Sequence, residues 1–389
     1  MKIIMLNYEF PPIGGGGGRA HLNILNEYST QKTLSIDVVT SKRSPGIEVE
    51  QFSDNIKIHK IGIHKKNLHY WKKLEVVEWL FKAYLYYAKL LQNNTYDMAH
   101  AFFGFPTGLL CYLKRKKLPY IISLRGSDVP GKNARLNLDY KILGGLFKNI
   151  WQYAEKVVAC SEGLKQRAVK FYPDINIDVI PNGVDLIRFQ PSSKHISLKN
   201  MPLKLITVGR LSATKRVDLL IDTVCALKQL NHSIQLTIIG DGPLCNNLRS
   251  MIYKKKLSEN IILTGRLEPV KIAELYRQSH LYISATEQEG MSNTMLEALA
   301  SALPVVTTKC EGVEELLTDR NGIVAEDNPD ALASSVLEII TNGENRYTMM
   351  CRAAHHQALQ FPWKNASDRY IACYRKTITA LCKPKHNLT

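Results

Sequence analysis

The sequence predicts an α/β chain of two doubly wound parallel-sheet domains, and three observations carry that expectation. At 389 residues the chain exceeds one ordinary hydrophobic core and has room for two domains of roughly 150–200 residues. Short apolar runs alternate with helix-like stretches throughout, as parallel strands alternate with their crossover helices. Between the two series, "IPNGVDLIRFQPSSKHISLKNMP" loses periodicity and gathers Pro, Gly, Ser and Asn, marking a linker over 182–201. Domains are therefore expected at 1–181 and 202–364.

The first half supplies the strands "KIIML", "IDVVT", "IKIHKIGI", "PYIISL", "KVVAC" and "IDVIP". Five glycines, Gly14–Gly18, follow the first strand, and a helix-like segment runs from Arg19 to about Ser29 with Ala20, Leu22, Ile24 and Leu25 apolar. Lacking Cβ, such a run lets backbone N–H groups approach a ligand, at a high ordering cost. A flexible surface loop and a phosphate or sugar cradle are both open to it. Its place at a strand end favours the cradle, because open α/β sheets bind ligands there. Over Asn67–Gln92, Glu75, Glu78, Lys82 and Lys89 share one narrow helical stripe. Trp79, Leu80, Phe81, Tyr84, Leu85, Tyr86 and Leu91 cover most of the rest, so this helix is expected to bury nearly its whole circumference. One reading is a crossover helix wedged into the first domain. The other is a lipid-facing element, since Lys65, Lys66, Lys72 and Lys73 with Tyr70 and Trp71 lie before or at its start.

The second half supplies "LKLITVG", "IQLTIIG", "NIILTG", "LYISA", "LPVVTT" and "GIVAE". Arg210, Lys215 and Arg216 stand between the first of these and the helix "VDLLIDTVCALKQL". A cation at a helix N-terminus opposes the macrodipole by about 0.3–1 kcal/mol, and a bound anion reverses that penalty. After "LYISA", Glu289 lies in an acidic loop and Glu297 in a helix expected from about Thr294 to Ser301. The amides of Asn293, Thr294 and Met295 suit a phosphate, and a nearby carboxylate suits ribose or hexose hydroxyls. The alternative for Glu297 is a capping box with Thr294.

Composition bounds the partners. A formal net charge of +16 points to anionic company, whether nucleic acid, phosphorylated small molecules or an acidic membrane. The eight cysteines form no CxxC pair or Cys/His cluster, as expected of buried thiols in a reducing cytoplasm. No stretch reaches the ~18 uninterrupted apolar residues of a spanning helix, so a soluble or peripheral protein is expected.

The strings "VGRLSATKRVDLLI", "IIGDGPL", "EGMSNTMLEALASALPVV" and "EGVEELLTDRNGIV" together resemble the donor domain of retaining glycosyltransferases of family 4, with the GT-B architecture. "MLNYEFPPIGGGG", "LRGSDVPG" and "VIPNGVDLIRFQP" agree in the first half, and "FPWKNASDRYIACYRK" resembles the family's last helix, which returns to the first domain and is placed at 365–389. The resemblance implies two Rossmann-like domains facing across a cleft, the first binding the acceptor. It assigns the donor diphosphate to Arg210 and Lys215, the donor sugar to Glu289 and the ribose to Glu297. The loop Gly290, Met291, Ser292, Asn293 and Thr294 would meet the distal phosphate and sugar, the backbone at Arg266 and Leu267 the base, and Gly240 belongs to the same donor site. Gly15, Gly16, Gly17 and Gly18 would close over the donor. Many relatives carry a histidine where this chain has Arg125, which is either a further phosphate clamp or a partner of Asp128.

The implied reaction is metal-independent transfer of a hexose or N-acetylhexosamine with retention, by front-face substitution in which the leaving phosphate helps deprotonate the acceptor. Glu289, Arg210, Lys215 and Arg125 are the catalytic candidates. No cofactor is expected, and the chain contains no D-x-D pair of the kind that holds a metal beside a diphosphate. UDP-sugars are the commoner donors, with a GDP-mannose-dependent mannosyltransferase as the rival and a sugar-nucleotide epimerase of the same architecture as a second class. The expected setting is bacterial surface polysaccharide (O-antigen, capsule or exopolysaccharide), with a saccharide or lipid-linked acceptor, in the cytoplasm and in peripheral contact with the inner membrane face. A nicotinamide oxidoreductase is disfavoured because no GxGxxG with an acid ~20 residues on stands in the second half. A nucleic-acid binder is disfavoured because no aromatics interleave with cations along one sheet face.

Overall fold

The computed structural model describes residues 1–68, 70–131, 137–193, 196–199 and 201–382. The chain forms two compact units, one of Met1–Asn182 with the chain from Trp363 onward, the other of Gly183–Pro362. Most of the stretch expected as linker, 182–201, therefore belongs to the second unit, with positions 194, 195 and 200 outside the described residues. Val184 there donates to the Phe361 carbonyl at 2.8 Å.

The first unit holds β1 (Lys2–Leu6), β2 (Ser35–Lys42), β3 (Ile47–Ser53), β4 (Ile56–Gly62), β5 (Met98–Phe102), β6 (Tyr120–Leu124), β7 (Lys156–Ala159) and β8 (Ile177–Val179). They line up as β3-β4-β2-β1-β5-β6-β7-β8, parallel except for β3, which runs antiparallel along β4. Crossovers run one way from β1 to β2 and the other from β5 to β6, so the switch point lies between β1 and β5. β5 and β6 are buried at every position, as strands covered on both faces must be. Its helices are α1 (Gly16–Tyr28), α2 (Lys73–Asn93), α3 (Thr107–Lys114), α4 (Asn137–Gln152) and α5 (Glu162–Phe171).

The second unit holds β9 (Leu203–Val208), β10 (Ile234–Ile239), β11 (Ile261–Gly265), β12 (Leu281–Ser284), β13 (Val305–Thr308) and β14 (Gly322–Ala325), all parallel in the order β11-β10-β9-β12-β13-β14. Its switch point lies between β9 and β12. Around the sheet stand α6 (Val217–Gln229), α7 (Cys245–Lys254), α8 (Pro269–Arg277), α9 (Asn293–Ala300), α10 (Val313–Leu316), α11 (Pro329–Thr341) and α12 (Gly343–Ala358). Leu205, Leu236 and Ile283 from the strands pack with Leu220 and Val224 of α6 and Val336 of α11 in one core.

The last helix, α13 (Trp363–Cys382), belongs to the first unit; the end of the 365–389 helix expected there lies outside the described residues. Buried hydroxyls tie it down. Tyr374 Oη stands 2.6 Å from His100 Nδ1 on β5 and accepts from Tyr28 of α1 at 3.2 Å, while Ser123 of β6 donates to Tyr370 at 2.9 Å. Burial pushes the His100 imidazole well below its usual range, so it sits neutral in this network.

α2 departs from expectation. It buries Trp79, Ala83 and Tyr87 but leaves Leu74, Val77, Phe81 and Leu85 exposed. Glu75, expected on the charged stripe, is buried because it accepts from the Lys72 amide at 2.9 Å and from Lys65 Nζ at 3.1 Å, closing the helix start. Lys65 is itself buried, 3.8 Å from the Trp71 ring centre, and cannot face lipid. Among the cysteines, four are buried and Cys382 is exposed.

Candidate functional site

At the second unit's switch point Arg210, Lys215 and Glu289, of the sequence-derived donor residues, line one pocket. β9 ends at Val208, and Gly209 and Leu211 donate to the carbonyls of Ile239, at the end of β10, and Asp241, just past it, at 2.9 and 3.0 Å. Gly240 makes this close approach possible: it holds φ +141°, and a Cβ there would lie 1.8 Å from the Gly209 oxygen. A one-turn 3₁₀ segment, Ala213–Lys215, follows, and Glu287 donates to its Thr214 carbonyl at 3.0 Å. That strap carries Lys215 across to the loop after β12, where its ammonium pairs with Glu289. A small pocket here is lined by Gly209, Arg210, Lys215, Tyr282, Thr286 and Glu289. The Arg210 side chain has no hydrogen-bond or ion-pair partner among the described residues. Arg216, the third cation of this turn, is taken up by Asp327 and by Glu287 at 3.5 Å and does not join them.

α9 begins where the loop from Glu289 ends. Ser292 caps it, its hydroxyl accepting from the Met295 amide at 3.3 Å. The capping box weighed for Thr294 and Glu297 is therefore not how this helix starts. Thr294 instead anchors the first turn, its hydroxyl 2.9 Å from Tyr282 Oη and its carbonyl accepting from Tyr276 at 3.1 Å. Burial raises both tyrosines, with Glu297 adding to the rise at each, which places that half-buried carboxylate beside them. Gly290 and Met291 are buried, and Gly312 at φ +78° packs against them with a virtual Cβ 3.1 Å from Gly290 O. Arg266 is exposed and Leu267 half-buried just past β11. Tyr282, Thr286 and the Glu287 strap were not singled out from the sequence; their signal was position, at or just beyond the strand that ends at the switch point.

The first unit carries Gly15–Gly18 and Arg125. α1 begins at Gly16, three residues before the expected Arg19, so the glycines form its first turn. They serve close packing inside this unit. A Cβ on Gly17 would lie 2.5 Å from Phe103 Cζ, one on Gly18 2.7 Å from the Glu9 oxygen. Gly15 donates to Glu9 Oε2 at 3.1 Å, placing a carboxylate at the helix start. Asp128 accepts from the amides of Arg125, Gly126 and Gly104, at 2.9, 2.9 and 2.6 Å. The Arg125 guanidinium itself donates to Asn182 Oδ1 at 2.5 Å and stands 5.5 Å from the Phe102 ring centre. Pairing with Asp128, one of the two roles open to Arg125, thus runs through its backbone amide and leaves the guanidinium beside a neutral partner.

Cations after β9 and a carboxylate after β12 meet at the switch point of a doubly wound sheet, the place where open α/β proteins bind their ligands. Residues 14–188 match the family model described as Glycosyltransferase Family 4, and residues 189–356 the one described as Glycosyl transferases group 1. An uncharacterized glycosyltransferase of Methanocaldococcus jannaschii is 28% identical over 362 residues, 90% of this chain and 91% of its own. The alpha-monoglucosyldiacylglycerol synthase of Streptococcus pneumoniae is 26% identical over 205 residues, 50% of this chain and 46% of its own. Among solved structures, sucrose-phosphate synthase from Thermosynechococcus elongatus superposes with TM-score 0.82 at 16% identity, covering 98% of this chain and 100% of its own. Anabaena HepE in complex with UDP and glucose gives 0.73 at 18%, covering 97% and 100%. The chain belongs to glycosyltransferase family 4, with the GT-B fold.

Proposed function

We propose that this glycosyltransferase moves a hexose or N-acetylhexosamine from a UDP-sugar to a saccharide acceptor, with retention and without a metal. The carrying observation is the meeting of Arg210, Lys215 and Glu289 in one pocket at the β9/β12 switch point. Arg210 and Lys215 hold the diphosphate and neutralise its growing charge as it leaves. Glu289 accepts hydroxyls of the donor sugar and Glu297 those of the ribose. The amides of Ser292, Asn293 and Thr294 face the distal phosphate, and the backbone at Arg266 and Leu267 meets the base. Arg125 is the first unit's candidate for stabilising negative charge.

In the front-face step the C1–phosphate bond breaks, the acceptor oxygen bonds C1 on the same face, and its proton passes to the departing phosphate oxygen. Metal-free transfer is supported by the absence of D-x-D from the sequence. UDP and glucose in the HepE complex support the donor class, and the lipid named in the pneumococcal synthase supports a lipid-linked acceptor.

A thermal-shift panel of UDP-, GDP- and ADP-sugars tests the reading, since a ligand at about 100 times its Kd stabilises by about 2.7 kcal/mol. Stabilisation by UDP-sugars, with transfer persisting in chelator, is expected. No response to any nucleotide-sugar overturns it, and transfer lost in chelator and restored by magnesium overturns the metal-free step.

A further inference from the structure

α2 carries an apolar stripe that the fold leaves uncovered. Leu74, Val77, Phe81 and Leu85 are 82, 60, 66 and 54% exposed. At 100° per residue they fall within about 80° of one another, a single face. Ala88 continues that face and Tyr84 borders it. Such a row is unusual on the surface of a soluble monomer, where large apolar residues are scattered singly.

Cations frame the stripe at one end and along one side. Lys66, Lys72 and Lys73 are exposed at the N-terminal end of α2. On the Tyr84 side, α3 packs against α2 and ends at Lys114, past which the basic run continues as Arg115-Lys116-Lys117. Lys114 Nζ donates to Tyr84 Oη at 3.1 Å and stands 4.3 Å from its ring centre, which fixes that basic run beside the stripe. Lys116 and Lys117 are exposed.

We propose that the α2–α3 face docks on an anionic phospholipid surface, with Leu74, Val77, Phe81 and Leu85 entering the headgroup–acyl boundary and the lysines meeting lipid phosphates. Charge selects this occupant. A second copy of the chain would set the same cations against each other across a two-fold axis, a poor match in a chain of net charge +16. A nucleic acid would leave the aliphatic row in water. An interfacial apolar face with flanking lysines matches a lipid surface in both respects. The docking goes beyond the proposed transfer and stands or falls apart from it.

The test is flotation of the full chain with vesicles of phosphatidylcholine alone and of phosphatidylcholine with phosphatidylglycerol, at low and high salt. Two variants accompany it, Phe81→Ser with Leu85→Ser, and Lys72→Gln, Lys73→Gln, Lys116→Gln with Lys117→Gln. All these positions are exposed, so unchanged melting temperatures are expected and are measured alongside. Binding to the anionic vesicles only, weakened by salt and reduced about tenfold or more by each variant, supports the proposal. No binding to anionic vesicles, or binding that both variants leave intact, overturns it. So does a concentration-dependent dimer that the serine variant abolishes, since that assigns the face to a second copy. If vesicle binding fails while transfer to a soluble acceptor persists, the docking alone is wrong.

Discussion

Replacing Glu289 with Gln should tighten binding of a nucleoside diphosphate while slowing transfer. The Glu289 carboxylate pairs with the Lys215 ammonium, so a diphosphate must compete for that cation and approach the carboxylate. Two unit charges ~4 Å apart at an effective dielectric of ~20 interact by about 4 kcal/mol. The two side chains are 25% and 15% exposed, so solvent screens part of this, and about 1–2 kcal/mol remains as the expected gain. That is roughly a five- to thirtyfold lower Kd for UDP. Titration calorimetry with UDP and with uridine reads it. UDP carries no sugar, so the proposed contact of Glu289 with the donor sugar does not enter, and uridine should bind both proteins alike. Transfer should fall because the glutamine is a poorer acceptor for sugar hydroxyls. A Glu289→Gln protein that binds UDP no better than the parent would refute the competition.

Other outcomes follow from the same geometry. Arg210→Ala and Lys215→Ala should each weaken UDP by about 1.5–3 kcal/mol and leave uridine unchanged; equal loss for both ligands in calorimetry would mean a packing role. Glu297→Gln should keep its melting temperature, because Ser292 and not Thr294 caps α9, yet lose transfer; normal turnover in a steady-state assay would remove Glu297 from the ribose. Burial lowers His21 to about 3, with the Arg125 charge adding to the effect, whereas the unfolded chain accepts that proton near pH 6.5. The stability present above that pH should therefore drain as pH falls towards about 3, by ~1.4 kcal/mol per pH unit from this residue. Denaturant melts of a His21→Gln variant between pH 7 and 5 should show a shallower slope, and an unaltered slope would contradict the buried neutral state.

The six strands of the second unit were legible because each is a β-branched or leucine-rich run bounded by Gly, Pro or a polar turn. Two strands of the first unit were not. β5 reads "MAHAF", short of β-branched residues, yet it lies beside the switch point with His100 satisfied by Tyr374 and Ser123. β3 reads "IEVEQFS", whose alternation was visible, but its Ile47 and Val49 are exposed along a sheet edge and stood in no apolar run. Packing also sets the contacts of the glycine run, since Phe103 is remote in sequence and only the fold brings it onto Gly17. The same holds for α2. Periodicity set out its apolar arc, but how much of that arc neighbours would cover depended on tertiary contacts, and they left the Phe81 side bare. Site residues were legible where charge broke a local rule, as with Arg210 and Lys215 before a helix. Arg216 broke the same rule and belongs to Asp327 and Glu287, carboxylates that no local pattern linked to it.

The most direct measurement of the donor site is a crystal structure of the protein soaked with UDP. The diphosphate should lie between the loops after β9 and β12, within hydrogen-bond reach of the Arg210 guanidinium and the Lys215 ammonium, with Lys215 turned from Glu289 towards a phosphate oxygen. UDP bound elsewhere, or a diphosphate that leaves both Arg210 and Lys215 unengaged, would contradict the account.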